Sequence, residues 1–343
     1  MLKLWFERPL PLEHAHLLEG RAVLLGAADT GAGDTAESDR QKTLPQAEGI
    51  IAAARLRYDK TLFQRTPALR AICRTGIGYD NISLEDATAF GIAVCNVPDG
   101  PSVSTAEHAV SLMLAVAKNL QPAHRMLIDG ERGDFFTLFN GIELRGLTLG
   151  LVGLGRIGLS VARAGLGLGM KIKSYDPYLD PSRLDGLDVE LLDSLDQLLE
   201  QSDAVSLHLP LTSETHHLID ADRLGRMKAG ALLINTARGG LVDENALFEA
   251  LQSGHLAGAG LDVFQQEPPP VDHPLLGCPT VVATPHIAAA TTAAKTRLWE
   301  GALQQVLSVL DGQRPPHLLN ADVWPVAPRQ EDTTHTTRER PKS

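Results

Sequence analysis

The chain has 343 residues, of which 43% are hydrophobic and 21% are charged, and its formal net charge at pH 7 is −11. This size and composition predict a folded protein of about two domains and exclude disorder over most of the chain. The negative charge argues against a broad nucleic-acid interface and against binding to an anionic membrane surface, since both need clustered Lys and Arg. Glycine is abundant, with 31 residues, as in many nucleotide-binding α/β proteins.

The three cysteines, Cys73, Cys95 and Cys278, are widely spaced and belong to no CxxC pair or Cys/His cluster. We therefore predict buried free thiols, no disulfide framework and no metal site. The first apolar run meets charged residues before it is long enough for a signal peptide, and no uncharged apolar stretch reaches about 18 residues. A cytoplasmic protein without a membrane span is expected.

Short apolar runs, each bounded by turn residues, alternate with helix-length segments over the first hundred residues. Such runs are typical of strands that are buried on both faces of a parallel sheet. The predicted strands are Leu2–Phe6, Ala22–Leu25, Gly49–Ala53, Arg70–Cys73 and Ile92–Asn96. Helices are predicted at Asp59–Arg65 and Leu84–Phe90, and the polar stretch Ala27–Ser38 is predicted to be a solvated loop.

A longer helix is predicted at Val103–Asn119, with Pro101 upstream and Ser102 or Ser104 available as its N-terminal cap. Apolar residues occupy most of its faces, so this helix needs partners on several sides. The sequence leaves open whether another domain or another subunit provides them.

The alternation of strands and helices begins again at Leu147. Predicted strands are Leu147–Val152, Lys171–Tyr175, Ala204–Leu207, Ala231–Asn235, Gly258–Asp262 and Thr280–Ala283, and predicted helices are Arg156–Leu168, Leu195–Glu200, Asp220–Met227, Glu244–Ser253 and Thr291–Leu310. This order predicts a doubly wound parallel sheet with right-handed crossovers. The polar, proline-interrupted tail, residues 321–343, is predicted to be disordered.

A glycine-rich turn directly follows a predicted strand and opens a predicted helix. Its residues are Gly153, Leu154, Gly155, Arg156, Ile157 and Gly158. In a dinucleotide site the three glycines allow the tight turn, the close approach of the pyrophosphate and the packing of helix on strand, while the helix N-terminus faces the phosphates. Asp176 ends the next strand, where a carboxylate binds the ribose hydroxyls and repels a 2′-phosphate. These features predict NAD as the cofactor; the alternative is a purely structural glycine turn with a capping Asp.

Three charged residues, Arg238, Glu267 and His286, stand just after successive predicted strands of the second half. Ligands of open parallel sheets bind at the carboxyl ends of the strands, so these side chains are expected to converge. Arginine binds a carboxylate with two parallel hydrogen bonds, histidine moves a proton near neutral pH, and a neighbouring glutamate stabilises the imidazolium. Each residue alone is more often an ordinary surface residue, although the three chemistries are complementary.

The sequence resembles the D-isomer-specific 2-hydroxyacid dehydrogenases from about Arg70 to Asn320. The resemblance rests on the glycine turn and on four further blocks: His208-Leu-Pro210-Leu-Thr-Ser-Glu-Thr215, Asn-Thr-Ala-Arg238-Gly-Gly-Leu-Val-Asp-Glu, Gly-Leu-Asp262-Val-Phe-Gln-Gln-Glu267-Pro and Thr-Pro-His286-Ile-Ala. The resemblance implies that Arg238, Glu267 and His286 are the catalytic residues.

The resemblance also implies where ligands bind. The segment 74–81 is similar to the substrate loop of the family, and the implied substrate contacts are Thr75, Gly76, Ile77, Gly78 and Arg238. The implied cofactor contacts are Thr105, Gly153, Gly155, Arg156, Ile157, Gly158, Asp176, His208, Pro210, Thr215, Thr236, Ala237, Arg238, Asp262 and His286.

The same resemblance implies two α/β domains. A Rossmann-type coenzyme domain, residues 102–288, is inserted into a flavodoxin-like substrate domain formed by residues 1–101 and 289–320. It further implies a homodimer to which the helix near Val103–Asn119 contributes, and this would give that helix its partner surface.

The implied reaction is the reversible, NADH-dependent reduction of a small 2-oxo acid to a D-2-hydroxy acid. Ala53 and Ala54 stand where many phosphoglycerate-directed relatives carry an Arg, which favours unphosphorylated acids such as glyoxylate, hydroxypyruvate or pyruvate analogues. Arg55 and Arg57 lie close by and leave a phosphoglycerate dehydrogenase-type enzyme open as an alternative. An NAD(H)-sensing, corepressor-like binding protein is a second alternative, because such relatives keep the same three residues.

Overall fold

The computed structural model describes residues 1–27 and 42–326. The chain divides into two compact units, one formed by Met1–Gly100 with the segment from Thr296 onward, the other by Pro101–Lys295. These limits lie close to the predicted boundaries 1–101, 102–288 and 289–320, while the assignment of substrate and coenzyme roles to the units stays a prediction. Apart from Ala27, the loop predicted at 27–38 lies outside the described residues.

The described residues contain twelve strands and ten α-helices, numbered here in chain order. The strands are β1 (Leu2–Phe6), β2 (Ala22–Ala27), β3 (Gly49–Ala52), β4 (Ala71–Arg74), β5 (Ala93–Asn96), β6 (Thr148–Val152), β7 (Lys171–Tyr175), β8 (Val189–Leu191), β9 (Ala204–Leu207), β10 (Ala231–Asn235), β11 (Leu256–Leu261) and β12 (Val281–Ala283). The helices are α1 (Lys60–Phe63), α2 (Leu84–Ala89), α3 (Ser102–Ala117), α4 (Leu120–Ile128), α5 (Phe135–Leu138), α6 (Arg156–Gly167), α7 (Leu195–Gln201), α8 (Ala221–Arg226), α9 (Glu244–Gln252) and α10 (Thr292–Leu310).

The first unit is built on a parallel sheet of order β2-β1-β3-β4-β5, the flavodoxin-like order. Side chains alternate between the faces of a strand, so Leu4 and Phe6 pack into the core that includes α10, whereas Trp5 packs into the core on the other face. At Gly49 in β3, a Cβ atom would lie 2.5 Å from Cγ1 of Val306, so glycine is needed for α10 to approach the sheet.

The chain stays ordered beyond the predicted start of the tail at residue 321. Asn320 accepts a hydrogen bond from Val94 N at 2.8 Å through its side-chain oxygen and thereby ties this segment to edge strand β5. A short 3₁₀ helix follows at Ala321–Val323, and Trp324 packs against the core of the unit. The prediction of disorder from residue 321 is therefore wrong for residues 321–326, because the core and the sheet edge hold them; residues 327–343 lie outside the described part.

The second unit is built on a seven-stranded parallel sheet of order β12-β11-β10-β9-β6-β7-β8. Strands on either side of β6 run outward in opposite directions along the chain, which is the doubly wound Rossmann arrangement. The predicted fold class is therefore confirmed for both sheets, with strand ends shifted by at most two residues. Short β8, at the sheet edge, was not predicted from sequence, since only three residues form it and none is buried.

Helix α3 finds its packing partners within its own unit. Its buried side chains belong to one core cluster with residues of β6, β10 and α6, among them Ala109, Leu112 and Met113. Glycines in β11 permit this contact: a Cβ at Gly260 would lie 2.8 Å from Cβ of Leu112. Most apolar side chains of α3 are therefore covered within its own unit, while Val103 at its start is 54% exposed, and the homodimer stays a prediction. No helix among the described residues is long and apolar enough to span a membrane.

Candidate active site

The glycine turn between β6 and α6 has the geometry of a dinucleotide-binding turn. Gly153 has a φ of 91°, and a Cβ there would lie 2.6 Å from the carbonyl oxygen of His208. A Cβ at Gly158 would lie 2.3 Å from the carbonyl oxygen of Gly153, so this glycine lets α6 pack on the turn. Around Gly155 nothing lies within 4 Å of the Cβ position, which leaves open space at the N-terminus of the helix. A phosphate can approach the backbone at that point.

Asp176, directly after β7, binds the same turn through its carboxylate. Its Oδ2 accepts a hydrogen bond from Leu154 N at 2.8 Å, and its Oδ1 accepts one from Tyr178 N at 2.9 Å. A carboxylate can accept about four hydrogen bonds, so both oxygens retain capacity for ribose hydroxyls. Of the other turn residues, Arg156 is exposed and Ile157 packs partly buried against the core.

Two buried polar atoms near this turn have no partner among the described residues. Nε2 of His208, directly after β9, and Oγ1 of Thr236, directly after β10, are both buried and without a hydrogen bond. Burial lowers the pKa of His208 to about 4, so its imidazole is neutral at pH 7. Buried polar groups without partners are rare, and a bound ligand can supply the missing bonds. Together with the open space at Gly155, these atoms fit a dinucleotide.

Other predicted cofactor contacts serve the loops in which they lie. Oγ1 of Thr215 donates to the carbonyl oxygen of Pro210 at 2.8 Å and accepts from Thr212 N at 2.8 Å, which closes the loop after β9. Thr105 is buried in the first turn of α3, and Ala237 offers its carbonyl oxygen to Arg238.

His286 and Glu267 are brought together in the second unit, after β12 and β11 respectively. Nδ1 of His286 lies 2.6 Å from Oε2 of Glu267, and the two side chains are 41% and 37% exposed. Oε1 of Glu267 accepts a hydrogen bond from Phe264 N at 3.2 Å, which fixes the carboxylate. The pair has one imidazole nitrogen bound to a carboxylate, which leaves Nε2 for proton transfer to a substrate.

Arg238 lies in the loop after β10, which packs directly against the loop that carries Glu267. Buried Asn235 shapes the Arg238 loop by donating to the carbonyl oxygen of Arg238 at 2.8 Å and accepting from Ala237 N at 3.0 Å. A Cβ at Gly239 would lie 1.9 Å from the carbonyl carbon of Phe264, so the two loops touch backbone to backbone. The three predicted catalytic residues therefore lie in the loops that follow the adjacent strands β10, β11 and β12, at the carboxyl ends of the sheet.

Asp262, predicted as a cofactor contact, uses its buried carboxylate to hold the loop after β12. Oδ1 accepts hydrogen bonds from Oγ1 of Thr284 at 2.6 Å and from Ile287 N at 2.9 Å, and Oδ2 accepts one from Ala288 N at 2.9 Å. Burial favours the protonated form, but the ring of His108, with Nε2 3.4 Å from Oδ1, and the hydrogen bonds from Thr284 and the two backbone N–H groups outweigh it, and the pKa of Asp262 is lowered. Sequence reasoning missed His108 and Thr284, because no motif spacing links them to Asp262.

The predicted substrate loop lies in the first unit and is held by backbone carbonyls. Thr75 donates to the carbonyl oxygen of Ala52 through its N–H at 2.9 Å and its hydroxyl at 3.1 Å. Asn96 donates to the carbonyl oxygen of Ile77 at 2.7 Å. Within the described part of the chain, the N–H groups of Ile77 and Gly78 make no hydrogen bond, so both can bind an anion.

A Rossmann sheet, a glycine turn with a carboxylate beside it, and a His–Glu pair at the same sheet edge define a dinucleotide-dependent dehydrogenase site. The described residues hold no group of three or more His, Cys, Asp or Glu side chains that fits a metal ion. A family model for the D-isomer specific 2-hydroxyacid dehydrogenase NAD binding domain matches residues 110–288. The chain belongs to this family, which confirms the resemblance, and its NAD binding domain confirms NAD as the predicted cofactor.

Relatives with different substrates align with the chain. A D-3-phosphoglycerate dehydrogenase from Archaeoglobus fulgidus is 41% identical over 273 residues, 79% of this chain and 51% of that protein. A glyoxylate reductase from Korarchaeum cryptofilum is 42% identical over 272 residues, 79% of this chain and 82% of that protein. The chain thus spans about half the length of the phosphoglycerate dehydrogenase but most of the glyoxylate reductase. A D-lactate dehydrogenase from Aquifex aeolicus, solved with NAD and lactic acid, superposes with a TM-score of 0.78 at 30% identity, covering 93% of this chain and 99% of that structure.

Proposed function

We propose that the chain catalyses the reversible transfer of a hydride between NADH and a small 2-oxo acid, which gives a D-2-hydroxy acid. The observation that carries this proposal is the His286–Glu267 pair, in which Nδ1 and Oε2 lie 2.6 Å apart. The loop that carries Glu267 packs against the loop that carries Arg238. All three stand in the unit that contains the glycine turn. NADH, when bound, supplies the hydride.

Each residue of the set has a distinct role in this proposal. The planar guanidinium of Arg238 binds the substrate carboxylate and orients the neighbouring carbonyl. His286 gives the proton on Nε2 to the carbonyl oxygen as it becomes an alkoxide, and takes a proton from the hydroxyl in the reverse direction. Glu267 stabilises the imidazolium through Nδ1. In the first unit, the N–H groups of Ile77 and Gly78 are proposed to form an anion-binding loop.

The cofactor is proposed to lie along the carboxyl ends of β6, β9 and β10. Gly155 and the start of α6 would hold the pyrophosphate, and Asp176 the ribose hydroxyls. His208 Nε2 and Thr236 Oγ1 would gain the hydrogen-bond partners that they lack. The neutral state of His208 keeps a second cation away from the substrate.

Small unphosphorylated acids are the proposed substrates, with glyoxylate, hydroxypyruvate and pyruvate as examples. The similarity to a glyoxylate reductase over most of its length supports this choice, and so do Ala53 and Ala54. A phosphoglycerate dehydrogenase-type activity is the second candidate. It is favoured by the similarity to the Archaeoglobus fulgidus enzyme and by Arg55, whose N–H is fixed by Glu7 at 2.6 Å.

We further propose a homodimer located in the cytoplasm. Exposed apolar side chains that a second copy would cover lie on α3, α4 and α5: Val103, Leu120, Leu127, Ile128, Phe136 and Leu138 are between 54% and 94% exposed. The three cysteines are buried free thiols, as in proteins of a reducing compartment. Light scattering of the wild type and of Leu127→Glu tests the dimer, since the charged variant should be monomeric.

A panel of 2-oxo acids assayed with NADH and with NADPH tests the function. We expect turnover of at least one small acid, with kcat/KM for NADH higher by about tenfold or more because of Asp176. His286→Gln should lower kcat by about 100-fold or more, while His16→Gln, at an exposed position of the first unit, should not. Tight NADH binding without turnover of any acid would instead support the sensing, corepressor-like alternative, and turnover of 3-phosphohydroxypyruvate alone would support the second candidate.

A further inference from the structure

A histidine of α3, His108, reaches the loop that carries His286. Its Nε2 lies 2.9 Å from Oγ1 of Thr284 and 3.4 Å from Oδ1 of Asp262, and its side chain is only 20% exposed. The residues in contact are far apart in the sequence, since 176 positions separate His108 from Thr284. All of them belong to the second unit.

The direction of each hydrogen bond follows from the chemistry of Thr284. Its hydroxyl lies 2.6 Å from Oδ1 of Asp262, and a carboxylate only accepts, so the hydroxyl proton points to Asp262. Oγ1 of Thr284 is then left as an acceptor toward His108. His108 therefore carries a proton on Nε2 and donates it, so that His108, Thr284 and Asp262 form one chain of donors that ends on the carboxylate.

Asp262 is hydrogen-bonded to the loop that carries His286. Its carboxylate accepts from the N–H groups of Ile287 and Ala288, and its carbonyl oxygen accepts from the N–H of His286 at 2.8 Å. His286 itself has a φ of 55°, a left-handed conformation that non-glycine residues adopt only when their surroundings impose it. The hydrogen bonds to Asp262 flank this residue and supply that constraint.

We propose that His108 is a positioning residue for proton transfer, and that it acts through Thr284 and Asp262 to hold His286 in the left-handed conformation that places Nδ1 against Glu267. The role rests on the proposed function, in which His286 moves the proton. His108 itself touches no reacting atom. Removing its donor leaves Thr284 and Asp262 free to reorient, and the loop 284–288 then samples conformations in which the His286–Glu267 contact is broken.

Paired substitutions test the role of the donor. His108→Leu removes it, whereas His108→Gln keeps an N–H that can reach Thr284, and Thr284→Val removes the hydroxyl in a nearly isosteric side chain. We expect His108→Leu and Thr284→Val each to lower kcat by about tenfold, and His108→Gln and Thr284→Ser to retain most of it. The matched control is His16→Leu at an exposed position of the first unit, which should behave as wild type.

A second readout follows His286 without relying on turnover. In protein with ¹⁵N-labelled histidine, the Nδ1–H signal of His286, assigned from its loss in His286→Gln, reports the hydrogen bond to Glu267. The signal should be weakened or shifted in His108→Leu and Thr284→Val, and His108→Gln should restore the wild-type signal. An unchanged signal in His108→Leu, or equal impairment of the Leu and Gln variants, would overturn the proposal. If the wild type reduces no 2-oxo acid, the proposed function fails, but this signal still decides whether His108 positions His286.

Discussion

Replacement of Glu7 by Gln tests how the first unit holds the turn that follows β3. Glu7 comes directly after β1 and its side chain is fully buried. Oε2 accepts hydrogen bonds from Ala53 N at 2.6 Å and from the Tyr58 hydroxyl at 2.7 Å, and Oε1 accepts from Arg55 N at 2.6 Å and Leu56 N at 3.0 Å. One carboxylate therefore accepts hydrogen bonds from four donors of this turn, and the bonds from Ala53 and Tyr58 are buried.

The magnitude follows from counting acceptors in Glu7→Gln. If the amide oxygen takes the place of Oε1, the N–H groups of Arg55 and Leu56 keep their acceptor and the Tyr58 hydroxyl can rotate to accept. Ala53 N then faces the amide NH₂, and a buried N–H without an acceptor costs about 1–3 kcal/mol. The three remaining bonds also lose the carboxylate charge, at roughly 1 kcal/mol each, while burial of a neutral group recovers part of this cost. We expect a net loss of about 3 kcal/mol in the free energy of unfolding, which is large against a typical total of about 5–15 kcal/mol.

Urea denaturation and calorimetry measure this loss. For a unit of roughly 150 residues, about 3 kcal/mol corresponds to a decrease in Tm of about 6–12 °C. Glu13→Gln, which changes an exposed glutamate in the same way, is the control and should stay within about 0.5 kcal/mol of wild type. A Glu7→Gln variant as stable as this control would refute the argument that the four hydrogen bonds hold the turn.

Three other substitutions probe the second unit. Gly239→Ala places a Cβ 1.9 Å from the carbonyl carbon of Phe264 and should lower the free energy of unfolding by about 3 kcal/mol or more in urea denaturation. The control is Gly225→Ala, whose added Cβ meets no atom within 4 Å and should leave the protein as stable as wild type or slightly more stable. Burial lowers the pKa of His208 in the folded state to about 4. The free energy of unfolding is therefore full above the unfolded-state pKa near 6.5 and falls by up to about 3 kcal/mol as the pH drops toward 4. His208→Phe should flatten this pH dependence in denaturation at several pH values. Asp176→Ser should narrow the difference in kcat/KM between NADH and NADPH to less than about tenfold, and an unchanged ratio would show that another group rejects the 2′-phosphate.

Much of the fold follows from short-range patterns in the sequence. Most inner strands of both sheets are buried on both faces, among them β3, β6, β9 and β10, so they appear as short apolar runs. The regular insertion of helices between strands dictates parallel pairing. The exceptions are elements with little burial. Strand β8 is three residues long at a sheet edge with none of them buried, and α4 buries none of its residues, so neither contains a buried apolar run.

The candidate site divides in the same way. The glycine turn, Asp176 and the three residues after β10, β11 and β12 were predictable, because the carboxyl ends of neighbouring parallel strands meet at one edge. The environment of Asp262 was not predictable from the sequence. Its role depends on Thr284 and on His108 in α3, and no spacing along the chain indicates that these side chains meet.

The sequence by itself determined the class of sheet, the cofactor and the kind of chemistry, since each depends on residue types at fixed distances from a strand end. Only the tertiary structure decided the partners of other polar groups: Asp262 holds the loop after β12, and Glu7 holds the turn after β3. It also decided that most of α3 is covered within its own unit. The physical reason is that hydrogen bonds and close packing act over a few ångströms, and these contacts join segments that lie tens to hundreds of residues apart.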